Sequence, residues 1–138
     1  MKNYPTTVGN PKRSYSVLLV LGLMQIYNGA FPVIPAKKVA LMQFIKDITG
    51  PMKKDFEKSE KRLGIKRETW FIQPDPSGDW LIIYMESNDM AKVFGDFAIS
   101  KEPFDVLARN SIKEFTGVDL STPPPQSSMP AQLFTYGY

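Results

Sequence analysis

Tyr84 and Glu86 stand two residues apart in the run WLIIYME (residues 80–86), so both project from one face of any strand built there. A phenol beside a carboxyl can hold and pass a proton. The tyrosine donates a hydrogen bond, and a carboxyl withdrawn from water has a raised pKa and can serve as a base. These two residues are the catalytic candidates of the chain. Trp80 and Ile82 share their face, and the preceding segment IKRETWFIQ (residues 65–73) adds Trp70, Phe71 and Gln73. Trp70, Phe71, Gln73, Trp80, Ile82 and Tyr84 together offer aromatic walls with a few polar groups, which suit a flat, apolar small molecule. The plainer reading is that this surface packs against another copy of the chain, with Glu86 at the wet end of the strand.

Much other chemistry is excluded. The 138 residues include no Cys and no His. That removes disulfides, thiolate-bound zinc, iron–sulfur clusters and thiol nucleophiles, together with the usual general base and the usual haem ligand. No metal and no cofactor is expected. Asp75, Ser77, Asp79 and Glu86 fall at positions 1, 3, 5 and 12 of a calcium loop, but position 6 is Trp80 and the flanks read as strands, so PDPSGD is a hairpin turn. Arg67, beside Glu68, can clamp a substrate carboxylate; the simpler reading is a surface or interface ion pair between the two. No Gly-rich phosphate loop, nucleophile elbow or paired-carboxylate motif is present.

Seventeen Lys and Arg against fourteen Asp and Glu leave a net charge of +3. Residues 37–62 hold eight bases to four acids, and residues 63–138 hold six bases to ten acids. The basic stretch KKDFEKSEKR (residues 53–62) alternates in sign, as a solvated helix face does, and its acids offset any attraction for phosphates. Nucleic acid is therefore not an expected partner.

Positioning these side chains requires a sheet and helices to back it. The apolar run VLLVLGLMQIY (residues 17–27) is too short to span a membrane. It reads as the approach to a strand that continues through GAFPV. Three competing readings are a signal peptide over residues 12–30, a physiological start at Met24 with the first 23 residues an upstream extension, and a hairpin turning at Asn28-Gly29. A cytoplasmic protein is expected, with export as the alternative. From Ala36 the apolar spacing turns helical through Leu41, Phe44, Ile45, Ile48, Met52, Phe56 and Leu63, with Gly50-Pro51 kinking or restarting the helix and Gly64 ending it.

Strands return at 65–73 and 80–86, the second apolar on both faces. A strand wet on one side alternates apolar with polar residues, so both of its faces should be covered. Two helices follow. One is capped by Ser87, Asn88 or Asp89 and buries Met90, Val93, Phe94 and Phe97; the other opens at Pro103 and buries Phe104, Leu107, Ala108, Ser111, Ile112 and Phe115. The chain divides into an N-terminal extension (1–23), a folded domain (24–118) and a Pro-rich arm (119–138) whose end can add a last strand.

The order predicts an α+β domain of the βαββαβ, ferredoxin-like kind, with an antiparallel sheet and helices on one face. The bare face then has to be covered by a second copy, sheet against sheet. The segments GAFPVIPAKK, ITGPMKKDFEKSEKRLGIKRETWFIQ, GDWLIIYMES, EPFDV and KEFTGVDLSTPP, spread over residues 24–136, resemble an uncharacterised bacterial protein family with a dimeric α/β-barrel fold. The first 23 residues have no counterpart in that resemblance, and the ending LFTYGY departs from it. It implies a homodimer but no particular reaction. Three functions follow as expectations: a homodimeric protein binding a small apolar or aromatic molecule, a cofactor-free monooxygenase or isomerase using Tyr84 and Glu86, or a non-catalytic structural or interaction module.

Overall fold

The structure, a computed structural model, describes residues 23–125 and 129–137. Strand β1 (Gln25–Pro32) leads through one turn of 3-10 helix at Pro35–Lys37 into helices α1 (Lys38–Thr49) and α2 (Lys53–Leu63). Strands β2 (Ile65–Gln73) and β3 (Trp80–Ser87) form a hairpin, followed by α3 (Met90–Ile99) and α4 (Pro103–Thr116). The three strands form one antiparallel sheet in the order β1-β3-β2.

Local chemistry sets the boundaries. Gly50 and Pro51 stop α1, and the chain restarts at Lys53 after a turn in which the Met52 amide bonds to the Asp47 carbonyl. The interruption is a restart, with Pro51 in the turn ahead of the first helical position. Gly64 and Gly117 end α2 and α4 in the left-handed region (φ 80° and 76°), where a side chain would be strained. Asp89 caps α3 by accepting from the Lys92 amide at 3.0 Å. In the hairpin loop Asp75 accepts from both the amide and the hydroxyl of Ser77, and Asp79 pairs with Lys38 at 2.6 Å. Two of the carboxyls that matched a calcium loop thus already hold partners.

No turn forms at Asn28-Gly29. Strand β1 runs straight through, with Gly29 opposite Ile83. The glycine serves a different purpose. A β-carbon there would lie 2.1 Å from the Tyr27 hydroxyl oxygen, because the tyrosine ring lies across Gly29 on the inner face. That ring is buried and meets Phe94 edge-on at 4.9 Å, so it cannot easily move aside. Pro32 is tolerated because it is the last residue of an edge strand.

All four helices lie on one face of the sheet. Tyr27, Phe31, Leu81, Ile83 and Met85 point towards them and are buried among Leu41, Phe44, Ile48, Met90, Val93, Phe94, Ala108 and Phe115. On the other face the register aligns Ile26, Glu86 and Arg67, then Asn28, Tyr84 and Thr69, then Ala30, Ile82 and Phe71, and last Pro32, Trp80 and Gln73. Nothing in the described chain covers this face: Phe71 is 53% exposed and Ile26 44%. The expected two-sided cover of β3 is therefore met on one side only within a single chain.

The expected last strand does not form among the described residues; 129–137 carry no strand. Pro123, Pro124, Pro125 and Pro130 precede it and cannot donate to a ladder, and Leu133, Phe134 and Tyr136 all stand in solvent. Among the described residues the sheet thus has three strands where a ferredoxin-like unit has four. The N-terminal extension and most of the proposed signal segment lie outside the described residues. No described helix is long and apolar enough to cross a membrane.

Candidate functional site

The sheet splits the residues singled out above. Trp70 points towards the helices, whereas Phe71, Gln73, Trp80, Ile82, Tyr84 and Glu86 lie on or face the uncovered side. Tyr84 and Glu86 do meet there: the tyrosine hydroxyl donates to Glu86 Oε1 at 2.6 Å. That bond keeps the proton on Tyr84 and raises its pKa above the usual phenol range; desolvation and the Glu86 charge add to the effect, and Arg67 opposes it. This pair is half-buried on an open surface, and neither residue lines the cavity described next.

A cavity lies on the opposite side, between the sheet and the helices. It offers about 70 Å³ to the centres of water-sized molecules, within about 660 Å³ of atom-free space that includes solvent at its mouth. A single water needs roughly 10–15 Å³, so the enclosed part has room for a few waters and a ring-sized molecule would extend into the mouth. Its walls are aromatic. Phe44 stacks on Trp70 at 6.2 Å, Phe56 tilts against Phe104 at 6.0 Å, and Tyr27 abuts Phe94.

Two carboxyls interrupt this apolar wall, Glu60 from α2 and Glu68 from β2. They lie within hydrogen-bonding reach of each other. Trp70 Nε1 donates to Glu68 Oε1 at 2.6 Å. Desolvation raises the pKa of both, and the charge and hydrogen bond of Glu68 push Glu60 further up. Glu68 is held back by the bonds it accepts from Glu60 and Trp70. The pair therefore divides its roles: Glu60 keeps a proton and donates it, and Glu68, itself raised, accepts from both Glu60 and Trp70.

Local structure explains the placement. Phe56, Ser59, Glu60 and Leu63 fall at i, i+3, i+4 and i+7 on α2 and form its inward stripe. On β2 the alternation puts Glu68, Trp70 and Ile72 on one face, and a register irregularity between Ile65 and Arg67 lets Ile65 join them. Arg67 consequently faces away from Glu68, and the two form no ion pair among the described residues. The solvated-face reading of residues 53–62 holds for the lysines and fails for Ser59 and Glu60.

Beside the cavity, Asp105 is fully buried at the start of α4. It accepts from Ser59 Oγ at 2.5 Å, Ser100 Oγ at 2.5 Å and Arg62 Nη2 at 2.6 Å. Burial alone would raise its pKa, but these bonds and the Arg62 charge outweigh burial and leave it below the usual carboxylate value. Comparison with protein-family models, curated proteins and solved structures finds no match for this chain, so the geometry of the cavity and of the bare sheet face is what bears on function.

Proposed function

We propose that this protein binds a small, flat, largely apolar molecule in the cavity between its sheet and its helices, and that two copies pair through their uncovered sheet faces. The observation that carries the binding reading is the cavity, with aromatic walls and a polar point made by Glu60, Glu68 and Trp70. A site built only for stability gains nothing from placing two carboxyls in an apolar wall. Trp70 thereby remains a ligand-binding residue. Phe71, Gln73, Trp80, Ile82 and Tyr84 become contacts between copies, as the resemblance to a dimeric α/β barrel implies.

The binding test uses the two tryptophans of the chain. In a Trp80→Phe variant, Trp70 alone emits, from within the cavity wall. Titration with propylbenzene should shift and saturate that emission. Absence of any response from the folded variant overturns the reading. For pairing, Ile82 sits at the centre of the uncovered face, between Ala30 and Phe71. Ile82→Lys should convert a sedimenting dimer into a monomer with unchanged circular dichroism. A parent chain that already sediments as a monomer at tens of micromolar would remove the dimer.

A second reading is a cofactor-free isomerase. One observation favours it: two carboxyls with raised pKa values, held side by side at a cavity wall, can give a proton to one atom of a ligand and take one from another. In this reading Glu60 and Glu68 take the place first assigned to Tyr84 and Glu86.

A further inference from the structure

We propose that the ligand of the helix-side cavity is an organic cation, an amine carried on an aromatic or aliphatic body. The inference rests on the binding reading above and names its ligand class. It follows from the charge balance of the cavity wall. Glu60 and Glu68 both line the apolar wall, within reach of each other, and burial raises the pKa of both; a cation placed beside them would draw the pair into ionisation and be held by the resulting charge. No Lys or Arg lines the cavity.

The titratable and charged groups nearby do not supply a counter-charge. Tyr27, from β1, is buried and neutral, its pKa raised by desolvation. Asp105, at the start of α4, is negatively charged, and Arg62, on α2, is committed to it at 2.6 Å. Helices α1 and α3 present only apolar side chains to the space. The Trp70 N–H and the Glu60 carboxyl both bond to Glu68, and neither brings a positive charge.

An apolar cavity whose wall carries two carboxyls and no base is complementary to an apolar molecule bearing one cation. Phe44, Phe56, Phe94, Phe97, Phe104 and Trp70 add aromatic surfaces that attract an ammonium group and accommodate its hydrocarbon part. A bare metal ion fits poorly. It requires six or so oxygen ligands, and Ser59, the other hydroxyl at hand besides Tyr27, is already bound to Asp105.

The test compares three probes of one shape on the full chain carrying Trp80→Phe: phenethylammonium, propylbenzene and 3-phenylpropanoate, all read by Trp70 emission at pH 7. The amine should bind at least about tenfold more tightly than propylbenzene, and the acid should bind weakest. Adding Glu68→Gln should bring amine and hydrocarbon to parity. If that variant fails to fold, acidification of the parent reads the same thing: the preference for the amine should vanish as protons compete for the pair, while propylbenzene binding stays level. Propylbenzene binding as tightly as the amine would overturn the cation and leave the apolar site standing. Failure of all three probes would overturn the site itself.

Discussion

A Glu60→Gln variant is expected to unfold at a higher temperature than the parent at pH 8 and at nearly the same temperature at pH 4. Folding raises the Glu60 pKa from 4.5 to about 10. Below pH 4.5 the proton is bound in both folded and unfolded chains, and folding costs nothing in ionisation. Between 4.5 and 10 the unfolded chain has released the proton that the folded chain retains. Stability therefore falls as pH rises through that window, by at most about 1.4 kcal/mol per pH unit for one proton. Glutamine has the same shape, carries no titrating proton, and can donate its amide to Glu68 as the protonated carboxyl does. The substitution should recover about 1–3 kcal/mol at pH 8 and flatten the alkaline fall. Thermal unfolding of both chains from pH 4 to pH 9 checks this. Parallel curves would mean that the two carboxyls are wet and independent, and the charge argument for the cavity would fall with them.

That carboxyl pair was written in the sequence in two incomplete pieces. Helical spacing from Phe56 passes through Ser59 and Glu60 to Leu63, but seven other bases and acids over residues 53–62 make the same stretch read as a wet face. Alternation in β2 puts Glu68 beside Trp70 and Ile72, but adjacency to Arg67 suggests an ion pair across the strand, which alternation forbids. Each piece is local. Their meeting depends on how α2 is seated on β2, a long-range packing result that no single window of sequence reports. The elements themselves were legible because each rests on short-range physics: apolar periodicity, Pro103 at the start of α4, Gly64 and Gly117 at helix ends. Asn28-Gly29 misled because turn propensity is local, whereas Gly29 is required by a ring that crosses it from two residues away. The greasy outer face of β3 was also legible. What covers it depends on a second molecule and on the measurement of Ile82→Lys.

Replacing Asp105 should be the most damaging single change in the protein, and the reason separates its three partners. The carboxylate joins α2, through Ser59 and Arg62, to Ser100 between α3 and α4. Breaking a buried charge network by removing one member costs about 3–5 kcal/mol. The partners do not suffer equally. The Arg62 side chain is 39% exposed and can turn to water. Ser59 is 2% exposed and would keep an unsatisfied hydroxyl in the core. Asp105→Ala should therefore lose about 3 kcal/mol or more, and adding Ser59→Ala should restore part of that loss, whereas adding Arg62→Ala should not. The pH dependence runs opposite to that of Glu60. The folded pKa of Asp105 lies below its unfolded value of 3.8, so its contribution is present above pH 3.8 and is lost as pH falls through the folded value; Asp105→Ala should be missing this acid limb. Denaturant unfolding of the three variants at pH 7 and pH 3 measures both effects. Because Ser59 and Glu60 are consecutive on α2, the same loss should loosen the helix that presents Glu60 to the cavity. The variant should then bind phenethylammonium and propylbenzene more weakly by similar factors, unlike Glu68→Gln, which should weaken the amine alone.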